Sequence, residues 1–445
     1  MKKTLLLFVF SMAVSAQAAM DPFSVYKLKT PEGCLDKDLT KDELGLPELI
    51  QIGICSNPTL SREYMAVKAQ EASLGSAKSE YLPSVEASGS ASISGNKSEQ
   101  DRWRQSEPYS GNLGASWLLF DFGGRSARVE RTKAYLDAAE FNYNTQLQET
   151  FLAINNAYLN LLGAEEVLTS AKDSEKSYKK AYEESSRRFD LGLVSLSDKL
   201  LAQTSYEQSK LTTIQAENTV KQNQGNLAVL LNLSPNTSFK LKKPPKDKNI
   251  TDLETNNTVE ELMELALTQR PELKGKESEL KAARENVSAV RASTLPSLSA
   301  NGSVGYGDSW KQSNPYQMTS SAGLKLSVPL FTGFSDTYKV AGAIYQEKQA
   351  SLAVIATQDS IKNEVWKAYQ NYKTAVSAYA IANDVLKSAK ENERVAMKSY
   401  EVGQGDILNL LTATSQMSNA RQELVNAFYS VLISKANLYR AIGRF

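Results

Sequence analysis

The side chains that most often carry out enzymatic chemistry are scarce in this sequence of 445 residues. It contains no histidine and only two cysteines. The lack of histidine excludes Ser-His-Asp and Cys-His triads and His-ligated zinc, and two cysteines cannot build a four-cysteine metal site. Paired carboxylates remain, but the acidic residues are spread along predicted helix faces and no pair clusters on a loop. We therefore predict no catalytic residue, no cofactor and no metal site.

The balance of charge excludes a further class of partner. There are 51 lysines and arginines against 50 aspartates and glutamates, which gives a formal net charge of +1. Such a chain has no basic field with which to hold a nucleic acid backbone. We therefore predict no nucleic-acid partner.

The N-terminal region indicates export. In residues 1–18, two lysines precede an apolar run at 5–14, which ends in a small-residue cleavage pattern typical of a secretory signal. The alternative, a membrane anchor, fails because the run is about half of the ~20 residues that span a bilayer. An N-terminal extension, 19–46, follows. Export to an oxidising compartment favours a disulfide between Cys34 and Cys55 over two buried free thiols.

The chain is an internal duplication. Residues 49–60 align with 262–273, and the Leu-Pro-Ser triplet at 82–84 recurs at 295–297. Further matches continue along both halves at an almost constant offset of about 212 positions, which chance does not produce. The predicted first repeat, linker and second repeat span 47–231, 232–257 and 258–445.

Each repeat is predicted to contain a pair of β-strands. Apolar and polar residues alternate, as at 85–88 and 324–327, and a period of two gives a strand one apolar and one polar face. A soluble sandwich has the same pattern, but strands near the ~9–11 residues that cross a bilayer and aromatic residues close to the strand ends favour a transmembrane barrel. The polar face, with Glu86 and Lys325, would then line water. The predicted strand pairs are 83–95 with 110–121 and 296–307 with 317–331.

The rest of each repeat is predicted to be helical. A helix of roughly 30 residues opens each repeat, with a break at Asn57-Pro58 and at Arg270-Pro271. No proline interrupts 124–189, where apolar residues recur every seven positions, which indicates helices packed at coiled-coil geometry. A glycine-containing turn follows, and a shorter helix at about 196–231 returns.

Four strands per chain cannot form a closed barrel, and an open edge in lipid leaves backbone groups unpaired. The chain must therefore assemble. Three copies give twelve strands and a wide lumen, whereas two copies give eight strands, whose interior side chains nearly fill the barrel. The predicted fold class is an α+β membrane protein in which a trimeric 12-stranded transmembrane β-barrel continues into a long α-helical coiled-coil barrel.

Three duplicated motifs identify the sequence with a known family. They are the Leu-Pro-Ser strand start, the strand-to-helix segment 119–125 with its counterpart at 330–334, and the turns at 189–192 and 400–403. Together they resemble the TolC family of outer-membrane channel-tunnels, across essentially the whole mature chain. The resemblance implies a homotrimer with its barrel in outer membrane lipid and its helices in the periplasm, partnered by a periplasmic adaptor and an inner-membrane transporter.

The resemblance also implies which residues meet the adaptor. The turn tips look like the family's docking loops, although the glycines in them also simply permit the turn, and both readings can hold. The linker at 232–257 is similar to the family's equatorial segment, with a flexible solvated linker as the alternative. The docking residues are Leu191, Gly192, Leu193, Val194, Val402, Gly403, Gln404 and Gly405.

A second set of residues resembles the family's closed periplasmic aperture. Asp198 and Tyr400 look like positions that link neighbouring copies, although an Asp near a helix start is otherwise a capping residue. The arginine that some members carry is Gly405 here, and the two aspartates that ring the entrance stand as Asn409 and Thr412. We therefore expect the closed state to depend on a Tyr400–Asp198 contact. Block by multivalent cations should be weak, since Asp406 is the only nearby acid that could substitute.

The predicted function is a passive outer-membrane exit duct for a tripartite efflux pump or a type I secretion system. The alternative is a non-conducting trimeric structural or adhesin protein that spans the periplasm. Such a stalk would need neither polar-lined strands with aromatic ends nor glycine turns at its tips. The small polar residues of the strands indicate no particular substrate.

Overall fold

The computed structural model describes residues 43–96, 104–237, 240–243, 258–309 and 316–444. These residues divide by their contacts into two units. The strand unit contains Met65–Phe141 and Lys274–Ala356, and the helix unit contains the remaining described residues. The predicted signal at 1–18, most of the extension at 19–46 with Cys34, and most of the linker at 232–257 lie outside the described residues.

Eight α-helices are present in the described part of the chain, four in each repeat. Helices at corresponding positions have equal lengths of 11, 22, 67 and 35 residues, so the duplication predicted from the sequence is confirmed. The first repeat has α1 Leu46–Ser56, α2 Pro58–Ser79, α3 Gly124–Asp190 and α4 Leu196–Leu230. The second repeat has α5 Val259–Gln269, α6 Pro271–Ala292, α7 Ser335–Glu401 and α8 Ile407–Ala441.

The break in the opening helix of the first repeat has a local cause. The Asn57 side chain accepts hydrogen bonds from the backbone N–H groups of Thr59 and Leu60, at 2.9 and 3.2 Å, and so caps the helix that begins at Pro58. Proline suits the first position of a helix, because its missing N–H would have no partner there. In the second repeat the break lies at Arg270. Both breaks lie where the two X-Pro pairs predicted them.

The described strands form one four-stranded and one two-stranded sheet. The larger sheet is antiparallel and contains, in spatial order, β1 Ser84–Ala91, β4 Pro108–Phe120, β5 Ser297–Ser309 and β6 Gln317–Ser327. Strands β1 and β6 are therefore its edges. Helices α2 and α6 precede the two strand pairs, and α3 and α7 follow them. The smaller sheet pairs β2 Ser94–Asn96 with β3 Arg104–Ser106.

The strand ends differ from the predicted ones. The strand predicted at 83–95 is divided into β1 and β2, and β6 ends at Ser327 rather than at 331. Pro329 explains the second difference, since proline has no N–H to continue a ladder. The alternation of apolar and polar residues does not show these ends, because it runs through both of them.

The register of the larger sheet separates its two faces. Val85 pairs with Ala115, Ala87 with Leu113, and Leu113 with Val304, so apolar residues of neighbouring strands share one face. In the single chain this face is exposed, with Val85 67% and Leu324 70% accessible. Serine pairs mark the other face: the hydroxyls of Ser84 and Ser116, of Ser90 and Ser110, and of Ser303 and Ser321 lie 2.8 to 2.9 Å apart.

The core of the helix unit is formed by leucine and isoleucine. Leu49 of α1, Ile154 and Leu161 of α3, and Leu227 of α4 are fully or almost fully buried in one cluster. Ile154 and Leu161 belong to the row of apolar residues that recurs every seven positions, which accounts for the packing of these helices. Within the described residues, no helix is both long enough and apolar enough to cross a membrane.

Candidate functional site

Two turns, one in each repeat, contain the eight residues that the sequence resemblance assigns to adaptor docking. The first tip, 191–195, joins α3 to α4, and the second tip, 402–406, joins α7 to α8. Both tips lie in the helix unit. Their geometry follows from a few backbone and capping residues.

The first tip ends α3 with a left-handed glycine. Gly192 has a φ of +70°, and the N–H of Leu193 donates to the carbonyl of Arg188 at 2.8 Å, which is a Schellman motif. Ser195 then begins α4. Its hydroxyl accepts from the Asp198 N–H and the Asp198 carboxylate accepts from the Ser195 N–H, both at 3.1 Å. Asp198 is therefore a capping residue within the chain.

The second tip repeats this arrangement. Gly403 has a φ of +80°, and the N–H of Gln404 donates to the carbonyl of Ser399 at 2.9 Å. The Asp406 carboxylate accepts from the N–H of Asn409 at 2.6 Å and so caps α8. Each tip is thus fixed at both ends, by a glycine that ends one helix and a polar side chain that begins the next.

Apolar side chains project from these fixed turns. Leu191, Leu193 and Val402 are 74%, 69% and 70% exposed, while Val194 is half-buried. Exposed aliphatic side chains on a rigid turn offer a partner a hydrophobic surface at little entropic cost. The tips therefore have the features of a contact surface as well as those of a turn.

Arg188 joins the ends of α3 and α7, a role that sequence reasoning missed. Its Nη2 donates to the carbonyl of Glu401 at 2.6 Å, and its guanidinium lies 4.6 Å from the centroid of the Tyr400 ring. Its Nε also donates to the Glu184 carboxylate at 3.2 Å. The sequence does indicate part of this role, because a basic residue in the last turn of a helix stabilises the free carbonyls there. It does not indicate which other helix the arginine contacts.

Asp198 and Tyr400 line the same cleft near the tips, but no hydrogen bond joins them within the described chain. Tyr400 is 1% exposed, and its hydroxyl has no hydrogen-bond partner among the described residues. An unpaired buried hydroxyl costs about 1–3 kcal/mol. A contact from Tyr400 to another copy of the chain stays a prediction.

The other residues that the sequence resemblance places at the aperture are neutral or already engaged. Asn409 and Thr412 are exposed, and the Thr412 hydroxyl donates to the carbonyl of Leu408 at 2.8 Å. Asp406 is used as a helix cap. A Cβ added to Gly405 would lie 3.2 Å from the backbone nitrogen of Tyr400, so this position favours the residue without a side chain.

A buried arginine fixes the passage from strand to helix in the first repeat. Arg125 donates through Nη1 to the carbonyl of Leu118 at 2.6 Å and through Nη2 to that of Leu119 at 3.0 Å. Its own N–H donates to the Asp121 carboxylate at 2.7 Å, which begins α3. The motif at 119–125 thus has a structural basis: Asp121 caps the helix, and Arg125 binds the carbonyls at the end of β4.

The described part of the linker contacts the helix unit. Lys240 and Lys242 exchange backbone hydrogen bonds of 2.9 Å with Leu44, and the Tyr158 hydroxyl donates to the carbonyl of Lys242. These contacts hold residues 240–243 against the helix unit, and the match of the whole linker to the equatorial segment stays a prediction. Cys55 lies in α1, but Cys34 lies outside the described residues, so the disulfide stays a prediction.

Comparison with known proteins gives a consistent result. The model of a family described as outer membrane efflux protein matches residues 49–233 and 262–444, one match in each repeat. Protein CyaE of Bordetella pertussis is 28% identical over 394 residues, which cover 86% of this chain and 81% of CyaE. Outer membrane protein TolC of Escherichia coli is 25% identical over 420 residues, or 89% and 82% of the two chains. The CmeC outer membrane channel of Campylobacter jejuni has the same fold, with a TM-score of 0.77 at 20% identity over 93% and 91% of the chains.

Proposed function

The chain belongs to the outer membrane efflux protein family, and we propose that three copies of it form a passive duct that receives its substrates from an inner-membrane transporter through a periplasmic adaptor. It is an outer membrane protein and serves as an exit duct for efflux or type I secretion. The assembly, the adaptor contact and the mode of closure are the finer parts of the proposal.

The four-stranded sheet carries the proposal. Its apolar face is exposed in the single chain, its opposite face is rich in serine, and β1 and β6 have no strand beyond them among the described residues. In lipid, each unpaired backbone group costs several kcal/mol, so such a sheet must close against other copies. Three copies give twelve strands, with apolar side chains toward lipid and serine hydroxyls toward a water-filled lumen.

The two tips support an adaptor contact. They present Leu191, Leu193 and Val402 on turns that are capped at both ends. We assign docking to these side chains and to the glycines that hold them in place. The duct needs no catalytic group, since the transporter supplies the energy.

The Asp198–Tyr400 cleft supports an aperture at the tips. The Tyr400 hydroxyl has no partner in its own chain, where it is buried, so the side chain must turn outward to reach another copy. Asp198 brings a carboxylate that caps α4. A carboxylate can accept several hydrogen bonds, so the capping bond leaves Asp198 able to accept another from a neighbouring Tyr400. Closure would then be an interaction between copies.

Deletion of the gene tests the function. We expect greater drug susceptibility or the loss of secreted proteins, with recovery on complementation by the wild-type chain. Leu193→Glu should assemble normally and fail to complement, because a charge at the first tip opposes apolar docking. Lys176→Glu, at a 74% exposed side chain, is the matched control and should complement.

Conductance distinguishes the duct from a stalk. Purified trimers in a planar bilayer should give discrete conductance steps. Trimers that insert without conducting, together with unchanged susceptibility and an unchanged set of secreted proteins in the deletion strain, would instead indicate a non-conducting structural or adhesin protein.

A further inference from the structure

The two edge strands of the larger sheet carry opposite charges. Glu86 lies on β1 and Lys325 on β6, the first and last strands in the order β1-β4-β5-β6. The only other charged residue in these four strands is Asp308, which accepts a hydrogen bond of 2.9 Å from the Tyr109 hydroxyl. Glu86 and Lys325 are both exposed, and neither makes an ion pair with another described residue of the chain.

Both charges lie on the polar face. Glu86 pairs with Gly114, Gly114 with Ser303, and Ser303 with Ser321, whose hydroxyls lie 2.9 Å apart. Lys325 follows Ser321 on β6 by an even number of positions, so its side chain points to the same face. An acid and a base therefore stand at opposite edges of the face that lines the lumen.

Both charges also lie near the same end of the sheet. Glu86 is close to Ser84, where β1 begins, and Lys325 is close to Ser327, where β6 ends. The paired residues lead from Ser84 through β4 and β5 to Gly323, so the two ends lie at about the same level of the sheet. The two edge strands therefore carry opposite charges at the same level of the sheet. This complementarity favours a second copy of this chain as the partner that pairs with each edge.

We propose that Glu86 of each copy forms an ion pair with Lys325 of the next copy across the seam between β1 and β6. The proposal rests on the trimeric barrel proposed above. Because neighbouring strands in the sheet alternate in direction, β6 and the next β1 meet antiparallel, as every other pair in the barrel does. Opposite charges facing each other across an antiparallel pair stabilise it.

The pair also fixes the register of the seam. Within one chain, the residues paired in turn with Glu86 across β4 and β5 lead to Ser321 on β6. Lys325 lies four positions beyond Ser321 on the same strand. Strands in a closed barrel are tilted, and the tilt requires such a stagger between the first and last strands. A stagger of four positions in each of three copies gives a total shear of about 12. A shear equal to the number of strands corresponds to a strand tilt of about 36°. A slip by one residue would turn Lys325 toward lipid, so the pair excludes that register.

Charge reversal tests the ion pair in the full-length trimer. We expect Glu86→Lys and Lys325→Glu each to lower the temperature at which trimers dissociate on a denaturing gel, and the double reversal to restore it. The matched control combines Asn112→Lys, on the polar face of an interior strand, with Lys325→Glu and should not restore it. Single variants that dissociate like the wild type, or a double reversal without recovery, would refute the pair.

Cross-linking keeps the proposal testable if a reversed variant fails to assemble. We expect Glu86→Cys combined with Lys325→Cys to give covalent dimers and trimers on oxidation, and neither single variant to do so. Wild-type trimers together with no cross-link in the double variant would refute the seam while leaving the duct intact. A wild-type chain that forms no trimer at all would refute the proposed assembly itself.

Discussion

Arg188 and Tyr400 form a cation–π pair at the ends of the two 67-residue helices, with 4.6 Å between the guanidinium carbon and the ring centroid. The same guanidinium binds the carbonyl of Glu401 at the end of α7. The two repeats are therefore tied together next to both tips. A displacement of one tip must either carry the other with it or break this contact.

Arg188→Ala should loosen the aperture. The substitution removes a charge-assisted hydrogen bond and a cation–π contact, together about 2 kcal/mol, from a side chain that is 13% exposed. If opening breaks these contacts, the ratio of open to closed channels rises by up to roughly thirtyfold. Single-channel recording in planar bilayers measures that ratio. Arg187→Ala is the control, since Arg187 is 72% exposed and its one ion pair among the described residues is with Glu184; equal effects of the two variants would contradict the prediction.

Tyr400→Phe distinguishes a contact between copies from simple packing. The substitution removes only the hydroxyl, which has no partner among the described residues of its own chain, so folding should be unaffected or slightly favoured. If that hydroxyl binds Asp198 of another copy, the variant opens more often in bilayer recordings. Asp198→Asn should then also increase the fraction of time that the channel is open.

The control for Tyr400→Phe is Tyr345→Phe, which removes a hydroxyl from a side chain that is 73% exposed on α7. This variant should behave like the wild type. A Tyr400→Phe channel with wild-type gating would show that the aperture does not depend on this hydroxyl.

Multivalent cations should block the wild-type channel only weakly. Asn409 and Thr412, the predicted entrance positions, are neutral, and the Asp406 carboxylate accepts a hydrogen bond as a helix cap. Asn409→Asp places an exposed carboxylate on each copy, and three of them at one entrance attract a trivalent cation strongly. We expect this variant to be blocked at a concentration at least about tenfold lower than the wild type, a difference of ~1.4 kcal/mol in binding. Asn409→Gln is the neutral control, and wild-type block at equally low concentration would contradict the expectation.

The helices and the duplication could be predicted because their signals are local and repeated. A proline-free stretch with apolar residues every seven positions determines α3, and the same pattern recurs in α7. The strand ends were less predictable, because alternation continues past Ala91, the last residue of β1. The alternation of residue types does not show where a strand ends, because a bulky or β-branched residue fits it whether or not the residue is paired with a neighbouring strand.

The roles of Arg125 and Arg188 could not be predicted from the sequence for a different reason. Each donates to backbone carbonyls. Every residue has such a carbonyl, so the type of the partner residue gives no sign of the contact. Arg125 reaches back to residues six and seven positions earlier, and Arg188 reaches a helix in the other repeat. Neither contact leaves a pattern of residue types, so only the folded chain shows it.

Glu165→Gln should stabilise the helix unit at neutral pH. Burial raises the pKa of the Glu165 carboxyl; Lys243 opposes the shift, and Glu166 adds to it. Because its folded-state pKa is above the unfolded one, the charged form weakens folding once the pH exceeds both values, and the penalty disappears as the pH falls below the ordinary value near 4.3. Thermal unfolding followed by circular dichroism should therefore give the variant a higher midpoint at pH 7 and an equal midpoint near pH 4.

The neighbouring residue supplies the control for Glu165→Gln. Glu166 accepts a hydrogen bond from the Lys243 ammonium, so Glu166→Gln removes a favourable ion pair. It also removes the repulsion of Glu165, but that repulsion is the smallest cause of the Glu165 shift. The two variants should therefore shift the midpoint at pH 7 in opposite directions, with a small effect for Glu166→Gln because that pair is partly exposed. A lower midpoint for Glu165→Gln at pH 7 would mean that its carboxylate is stabilised by the fold.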